Sequence, residues 1–202
     1  MFNEVFFDVE TKKLFGDIEG DDPGDLGVSI VSVYSRKIDE NLRETEGQIK
    51  SFWEKDFPEM WPIFQEADRI VGCNSIGFDV PALTPYANFP FNKLPHFDIM
   101  QRVKEVFGRR IPLDAIAKET LDREKIDVGL NAVYYWQKGD KASLTKLKKY
   151  CEDDVIITRN IYDFVLKNGH LLFKDKWNTQ QKIELDFSYP KTDSPEKQIG
   201  LF

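Results

Sequence analysis

The chain has 202 residues, a formal net charge of −7, two cysteines and two histidines. This length fits one domain with a continuous core, and no apolar run approaches the roughly 18 residues that a membrane helix needs, so we expect a soluble, cytoplasmic protein. Two cysteines do not make a disulfide framework and two isolated histidines are too few for a zinc site, so any metal should be held by oxygen.

The negative charge limits how the protein can bind nucleic acid. A net charge of −7 argues against binding through bulk electrostatics alone. It does not exclude a nuclease, because bound divalent cations reverse the sign of a carboxylate cluster at the point where a phosphate sits.

The N-terminal third of the chain predicts mainly β-structure. Apolar, aromatic and β-branched runs without helical spacing predict strands over residues 2–9, 27–34, 42–46 and 69–73. An acidic, glycine-rich loop is expected between the first two strands. Residues 52–67 have helical spacing of aromatic and aliphatic side chains, interrupted by two prolines that mark kinks.

The rest of the chain predicts mainly helices. A turn after residue 73 leads into a helix that carries Asp79 and Leu83. Further helices are expected over residues 97–107, 113–121, 130–137 and 143–166. Two short apolar segments near the end, 171–173 and 183–187, predict a C-terminal hairpin. The order of these elements implies an α/β fold with a mixed central sheet flanked by helices.

The composition of the chain changes after Tyr189. Residues 190–197 are polar and contain two prolines, as a linker does, whereas the last five residues are more apolar. We therefore expect one α/β domain over residues 1–189 and a linker with a peptide tail over residues 190–202.

Asp8 and Glu10 close the first predicted strand. Residues two apart on a strand project to the same face, so both carboxylates should point the same way. Two like charges at the end of a buried strand are unfavourable unless a cation neutralises them. The alternative is a strand that simply ends in solvent-exposed acids.

Two other places in the chain carry acids in a structured context. Asp79 begins the helix after the turn, where it would either cap that helix or deliver a carboxylate towards a metal. Tyr150 and Asp154 are four residues apart on the long predicted helix and share a face. Glu152 and Asp153 are expected elsewhere around the helix, on an acidic outer face.

Together these blocks resemble the three motifs of the DEDD 3′–5′ exonuclease family, in its tyrosine-bearing branch. The motifs stand, in the family's order, as Asp8-x-Glu10, Asn74-x3-Phe78-Asp79 and Tyr150-x3-Asp154. The resemblance implies a ribonuclease H-like fold with a mixed five-stranded sheet. It also implies hydrolysis of phosphodiester bonds with two divalent cations, Mg²⁺ or Mn²⁺, held by oxygen ligands.

The resemblance implies a role for each residue of the site. Asp8 would bridge both metals, while Glu10 and Asp154 would hold the metal that activates water. Asp79 would support the second metal. Tyr150 would position the nucleophile rather than ionise, since an unperturbed phenol has a pKa near 10.

Substrate contacts are predicted beside the acids of the second motif. Asn74 and Phe78 are the residues that we expect to contact the substrate, and Phe15, in the loop after the first strand, is a further candidate. Aromatic side chains are suited to this role because they stack on the bases of a single strand.

A histidine offers a competing assignment. The histidine branch of the same family places its His five residues before an Asp, and His170 and Asp175 match that spacing. His170, however, follows the end of the long helix and begins a predicted strand. The site is therefore assigned to Tyr150 and Asp154, and His170 is expected to be structural.

The function implied by the resemblance is a metal-dependent 3′–5′ exonuclease acting on single-stranded DNA in replication or repair. Two alternatives stay open. One is an exoribonuclease of the same fold, since nothing in the sequence reads a 2′-hydroxyl. The other is a non-catalytic module that binds nucleic acid, holds a structural metal and is recruited through its tail. The sequence leaves the oligomeric state open.

The C-terminal tail resembles the short peptide by which bacterial replication and repair proteins dock on the sliding clamp. Its expected contact residues are Gln198, Ile199, Leu201 and Phe202, presented by an extended linker. Gly200 departs from the polar residue that is more usual at its position. The alternative is a tail that folds back on its own domain.

Overall fold

The computed structural model describes residues 1–123 and 129–189. Its central sheet consists of β1 (Phe2–Thr11), β2 (Val28–Ile38), β3 (Glu44–Trp53), β4 (Arg69–Gly72) and β5 (His96–Asp98). The helices are α1 (Phe57–Gln65), α2 (Asp79–Leu83), α3 (Ile99–Phe107), α4 (Leu113–Leu121), α5 (Gly129–Lys138) and α6 (Lys141–Asn168). A separate hairpin consists of β6 (His170–Lys174) and β7 (Gln180–Glu184). These elements confirm the predicted α/β fold with a mixed five-stranded sheet, flanking helices and a C-terminal hairpin.

The strand order of the sheet is β3-β2-β1-β4-β5. β1 pairs antiparallel with β2, and β2 with β3, whereas β1, β4 and β5 run parallel to one another. The carboxyl ends of these three parallel strands therefore meet at one edge of the sheet. Chain segments that follow them are brought together at that edge, although they are far apart in sequence.

Both faces of β1 are buried, as expected for its central position. Phe6 belongs to the apolar cluster that includes residues of α3, α4, α6 and the hairpin. Val5, Phe7 and Val9 belong to the cluster on the other face, with α1 and α2. Because side chains alternate along a strand, Asp8 and Glu10 share the face of Phe6, which is the face that α6 covers.

A buried polar network lies at the opposite end of the sheet. Glu4 is fully buried and accepts hydrogen bonds from Arg36 at 2.8 Å and from the hydroxyls of Tyr162 and Tyr189, both at 2.9 Å. The guanidinium of Arg69 lies 3.7 Å from the centre of the Tyr189 ring. The network ties the segment that ends at Tyr189 to the end of the sheet remote from Asp8.

Some predicted boundaries were wrong. Residues 96–98, of which the last two were assigned to a helix, form β5, because its backbone pairs with β4 and Asp98 caps α3 by accepting hydrogen bonds from Met100 and Gln101. β3 is longer than residues 42–46, and α1 begins only at Phe57. Pairing with β2 extends to Phe52 and Trp53 and outweighs their helical spacing. Residues 54–56 form a short 3-10 helix before α1.

Two further predictions concern the C-terminal tail and membrane-spanning helices. The linker and tail predicted over residues 190–202 lie outside the described residues. None of the helices in residues 1–123 and 129–189 is both long enough and apolar enough to cross a membrane.

Candidate metal centre

Three carboxylates converge at the edge where the parallel strands end. Asp8, Glu10 and Asp154 each offer one oxygen that lies within 4.8 Å of the oxygens of the other two. Asp8 and Glu10 project from β1 towards α6, and Asp154 projects from α6, where it is buried. A β-bulge follows at Glu10 and Thr11, where the register with β2 shifts. The period of two along β1 and its packing on α6 together create the cluster.

Asp79 approaches the same place from the other face of the sheet. It is the first residue of α2, is only 5% exposed, and has one carboxylate oxygen that is buried without a hydrogen-bond partner among the described residues. Burial, with the charges of Asp98 and Asp154, raises the pKa of Asp79 to about 7, although backbone N–H groups of Asp79 and Val9 donate to it and oppose the rise. Asp79 does not belong to the cluster of Asp8, Glu10 and Asp154. One of its carboxylate oxygens is available to bind a ligand.

The residues predicted for catalysis and for substrate contact all line one cleft of about 290 Å³. They are Asp8, Glu10, Asn74, Phe78, Asp79, Tyr150 and Asp154. The wall opposite the acids comes from the loop after β1, through Leu14, Phe15 and Leu26. The chemical roles of these residues stay predictions, but the sequence motifs do meet in space.

Tyr150 is buried against the carboxylates, one helical turn before Asp154. Burial, followed by the negative charges of Asp154, Glu10 and Asp8, raises the pKa of the Tyr150 phenol far above its ordinary value. The phenol therefore keeps its proton at any physiological pH. As a neutral group it can donate a hydrogen bond.

Asp98 is a buried acid that belongs to none of the sequence motifs. It accepts hydrogen bonds from the backbone N–H of Asn74 at 2.8 Å and of Ile76 at 3.0 Å, and so fixes the turn between β4 and α2. Asn74 has a left-handed backbone with a φ of 64°. A Cβ at Gly72 would overlap the Ser75 side chain, so the turn also needs glycine there. The sequence signal for Asp98 was its place as N-cap of α3.

The prediction of an acidic outer face on α6 was wrong. Asp153 is buried and pairs with Arg123. Glu152 is half-buried and accepts a hydrogen bond from Ser51 of β3 at 2.7 Å. Both residues are covered because α6 contacts α4 on one side and the strands β2 and β3 on another.

Cys151 and His170 lie outside the cleft lining, and His170 was expected to do so. Cys151 is fully buried, its thiol donates to the backbone oxygen of Asp8 at 3.5 Å, and burial raises its pKa well above the ordinary value. His170 begins β6, and its Nδ1 lies 2.9 Å from the backbone oxygen of Asn168. Cys73 is half-buried and lines the cleft.

The donor set of the cleft fits divalent cations. It offers the carboxylate oxygens of the three clustered acids and the buried oxygen of Asp79 that accepts no hydrogen bond within the described chain. Hard oxygen ligands suit Mg²⁺ and Mn²⁺. Asp8, Glu10 and Asp154 would hold one such ion, and Asp79 lines the same cleft.

A sequence model of the RNase_H superfamily matches residues 5–166. The chain belongs to the RNase_H superfamily. The matched region includes every acid of the cleft, and the predicted ribonuclease H-like fold is confirmed. Membership of the RNase_H superfamily also supports a nuclease, whereas assignment to the tyrosine-bearing branch stays a prediction.

Comparison with solved structures shows the same fold in a larger protein. The family B DNA polymerase from the hyperthermophilic archaeon Pyrobaculum calidifontis superposes with a TM-score of 0.59 at 20% sequence identity. The superposition covers 82% of this chain and 25% of the polymerase chain. The chain thus spans about a quarter of that polymerase's length. No curated protein matches the sequence.

Divalent cations should stabilise this RNase_H superfamily protein more strongly at higher pH. The pKa of Asp79 is about 7 in the folded chain, against about 3.9 in an unfolded one. Folding without metal therefore takes up a proton, so Asp79 subtracts stability as the pH rises between these two values. A bound cation needs the ionised carboxylate, so Mn²⁺ should raise the melting temperature more at about pH 8 than at about pH 6.

Scanning calorimetry with and without Mn²⁺ measures this difference. Asp79→Asn should remove most of the pH dependence of the Mn²⁺ effect. Glu46→Gln is the control, because Glu46 is an exposed acid that pairs with Lys37 at the opposite end of the sheet. A Mn²⁺ effect that is absent, or equal at both pH values, would contradict the assignment.

Proposed function

We propose that the protein is a metal-dependent 3′–5′ exonuclease that hydrolyses single-stranded DNA. The observation that carries this proposal is the meeting of Asp8, Glu10, Asp79 and Asp154 with the buried Tyr150 in one cleft. A module that only holds a structural metal has no use for a buried phenol among its ligands. Membership of the RNase_H superfamily supports hydrolysis of a phosphodiester bond.

In the proposed reaction, a water oxygen attacks the phosphorus that joins the last two nucleotides. The bond from phosphorus to the 3′ oxygen of the penultimate nucleotide breaks, which releases a nucleoside 5′-monophosphate and leaves a shorter strand. Two divalent cations, when bound, supply an activated water and stabilise the charge on the attacking and leaving oxygens. Asp8, Glu10 and Asp154 would hold one of them beside the water, and Asp79 would help to hold the other.

Tyr150 would position the attacking water. Its phenol keeps its proton because it is buried among the charges of Asp154, Glu10 and Asp8. A neutral hydroxyl at this place can donate a hydrogen bond to the water or to a phosphate oxygen. The role needs geometry rather than a change of ionisation.

Two aromatic side chains would hold the terminal nucleotide. Phe15 and Phe78 both line the cleft, and their ring centroids are 6.1 Å apart with the rings tilted by 68°. Phe15 is 46% exposed, so a base can reach its face. Stacking on such rings holds a single strand without reading its sequence. The loop that carries Phe15 forms one wall of the cleft, so the cleft suits the end of a DNA strand.

The tyrosine assignment predicts a specific pattern of kinetic effects. Tyr150→Phe removes one hydrogen-bond donor from the reacting centre, so we expect kcat to fall about 10²- to 10³-fold with little change in KM. His170→Ala should leave both constants unchanged, because His170 lies in the hairpin and outside the cleft lining. Steady-state rates on a labelled single-stranded oligonucleotide with Mg²⁺ measure the effects.

The opposite pattern would overturn the tyrosine assignment. If His170→Ala abolished cleavage and Tyr150→Phe left it intact, the site would have to be rebuilt around the histidine. Thermal melting of both variants provides the control, since each should fold like the parent protein.

We also propose, from the sequence likeness alone, that the tail over residues 198–202 docks on a bacterial sliding clamp. The domain offers one supporting feature. Tyr189, the last described residue, stacks on Phe2 at 4.5 Å and bonds to Glu4, at the end of the sheet remote from Asp8. The last described residue before the linker therefore lies away from the acid cleft.

Deletion of residues 198–202 tests the docking. The shortened protein should no longer co-elute with a purified bacterial sliding clamp in size-exclusion chromatography. It should keep full activity on short oligonucleotides, because the cleft is untouched. Equal co-elution of both forms would end the proposal.

A further inference from the structure

A second groove, of about 380 Å³, lies beside the acid cleft. It lies at the carboxyl ends of β4 and β5, next to α3. Residues that line it include Asn74, Gly77, Asp98, Gln101, Lys104 and Arg110. Asn74 lines both the groove and the cleft, so the two depressions adjoin across the turn between β4 and α2.

The acids of the groove are already satisfied. Asp98 accepts hydrogen bonds from four backbone N–H groups, two in the turn before α2 and two at the start of α3. Glu105 accepts from Gln101 at 2.9 Å and pairs with Arg102 at 3.0 Å. The negative charges of Asp98 and Glu105 are therefore largely compensated by hydrogen bonds and an ion pair within the protein.

The two basic side chains of the groove, unlike its acids, have no partner of opposite charge within the described residues. Lys104 and Arg110 are exposed, and neither forms an ion pair within residues 1–123 and 129–189. Ile111, the chain neighbour of Arg110, is buried. The groove thus presents two available positive charges in a chain whose net charge is −7.

We infer that this groove binds the phosphates of the single strand that leads away from the bond cleaved in the acid cleft, through Lys104 and Arg110. The inference rests on the proposed function. A strand whose end contacts Phe15 and Phe78 has to leave the cleft, and the groove adjoins the cleft at Asn74. Arginine can bind a phosphate through two parallel hydrogen bonds, and lysine binds it as a point charge.

Two other grooves in the described part of the chain lack this combination. A groove of about 660 Å³ on the outer side of α2 has no lysine or arginine in its lining. The groove that contains Arg36 and Lys37 lies at the opposite end of the sheet. There Arg36 is buried and paired with Glu4 and Asp163, and Lys37 is paired with Glu46. Continuity with the cleft and free positive charge occur together in the Lys104 groove.

A double variant, Lys104→Ala/Arg110→Ala, tests the inference with two substrates. One is a short single-stranded oligonucleotide, which reaches the groove. The other is the p-nitrophenyl ester of thymidine 5′-monophosphate, whose single phosphate reaches only the cleft. For the oligonucleotide we expect KM to rise about tenfold and the slope of log(kcat/KM) against log salt to shrink by about 1.4, because each phosphate contact contributes about 0.7. Hydrolysis of the ester should be unchanged.

Lys37→Ala/Lys167→Ala is the matched control. It also removes two positive charges, but from the end of the sheet remote from the cleft. Lys37 lies there opposite Asn3 of β1, and Lys167 lies in the last turn of α6. The control should keep the KM and the salt slope of the wild type. Equal salt slopes in the two double variants would overturn the inference, and so would a loss of ester hydrolysis in Lys104→Ala/Arg110→Ala.

A binding measurement separates this inference from the proposed function. Fluorescence anisotropy of a labelled single strand with Ca²⁺ reports affinity without turnover. Weaker, less salt-dependent binding by Lys104→Ala/Arg110→Ala supports the groove even if the wild type cleaves neither substrate, and that lack of cleavage would reject the proposed function alone. Binding equal to that of the wild type would reject the groove.

Discussion

Repulsion between carboxylates is the constraint on which the rest of this structure depends. Asp8, Glu10 and Asp154 bring oxygens within 4.8 Å of one another in a largely buried site. Two like charges about 4 Å apart repel by about 4 kcal/mol at an effective dielectric constant of about 20. A domain with a total stability of roughly 5–15 kcal/mol tolerates such a cluster only if protons or cations compensate it. The pKa of Asp79, which burial and the charges of Asp98 and Asp154 raise to about 7, shows compensation by a proton at the neighbouring acid. A divalent cation would compensate the cluster itself.

The fold places these acids and fixes the groups around them. β1 lies at the centre of the sheet, and its face next to α6 carries Phe6 in the core and then Asp8 and Glu10 at the edge. The parallel neighbours β4 and β5 end at the same edge. They add the turn at Asn74 and the cap at Asp98, whose hydrogen bonds hold that turn in place. The acid cleft and the Lys104 groove therefore both lie at one edge of the sheet.

Much of the candidate site could be predicted because its local patterns are strong. The period of two puts Asp8 and Glu10 on one face of a strand, and the spacing of four puts Tyr150 and Asp154 on one face of a helix. The rest depends on contacts between distant parts of the chain. β5 has three residues and is defined by its pairing with β4, so its sequence alone favoured a helix. Asp153 is buried because Arg123 and α4 cover it. No local sequence pattern in α6 predicts these contacts with a distant part of the chain.

The measurement that tests the central claim most directly is digestion of matched DNA and RNA strands labelled at the 5′ end. We predict stepwise shortening of the DNA strand from its 3′ end with Mg²⁺ or Mn²⁺, slower shortening of the RNA strand, and no shortening with chelator or with Asp8→Asn. Faster loss of RNA would move the proposal to an exoribonuclease. Strands left intact by the wild type with metal, cuts at internal positions, or equal activity of Asp8→Asn would contradict it.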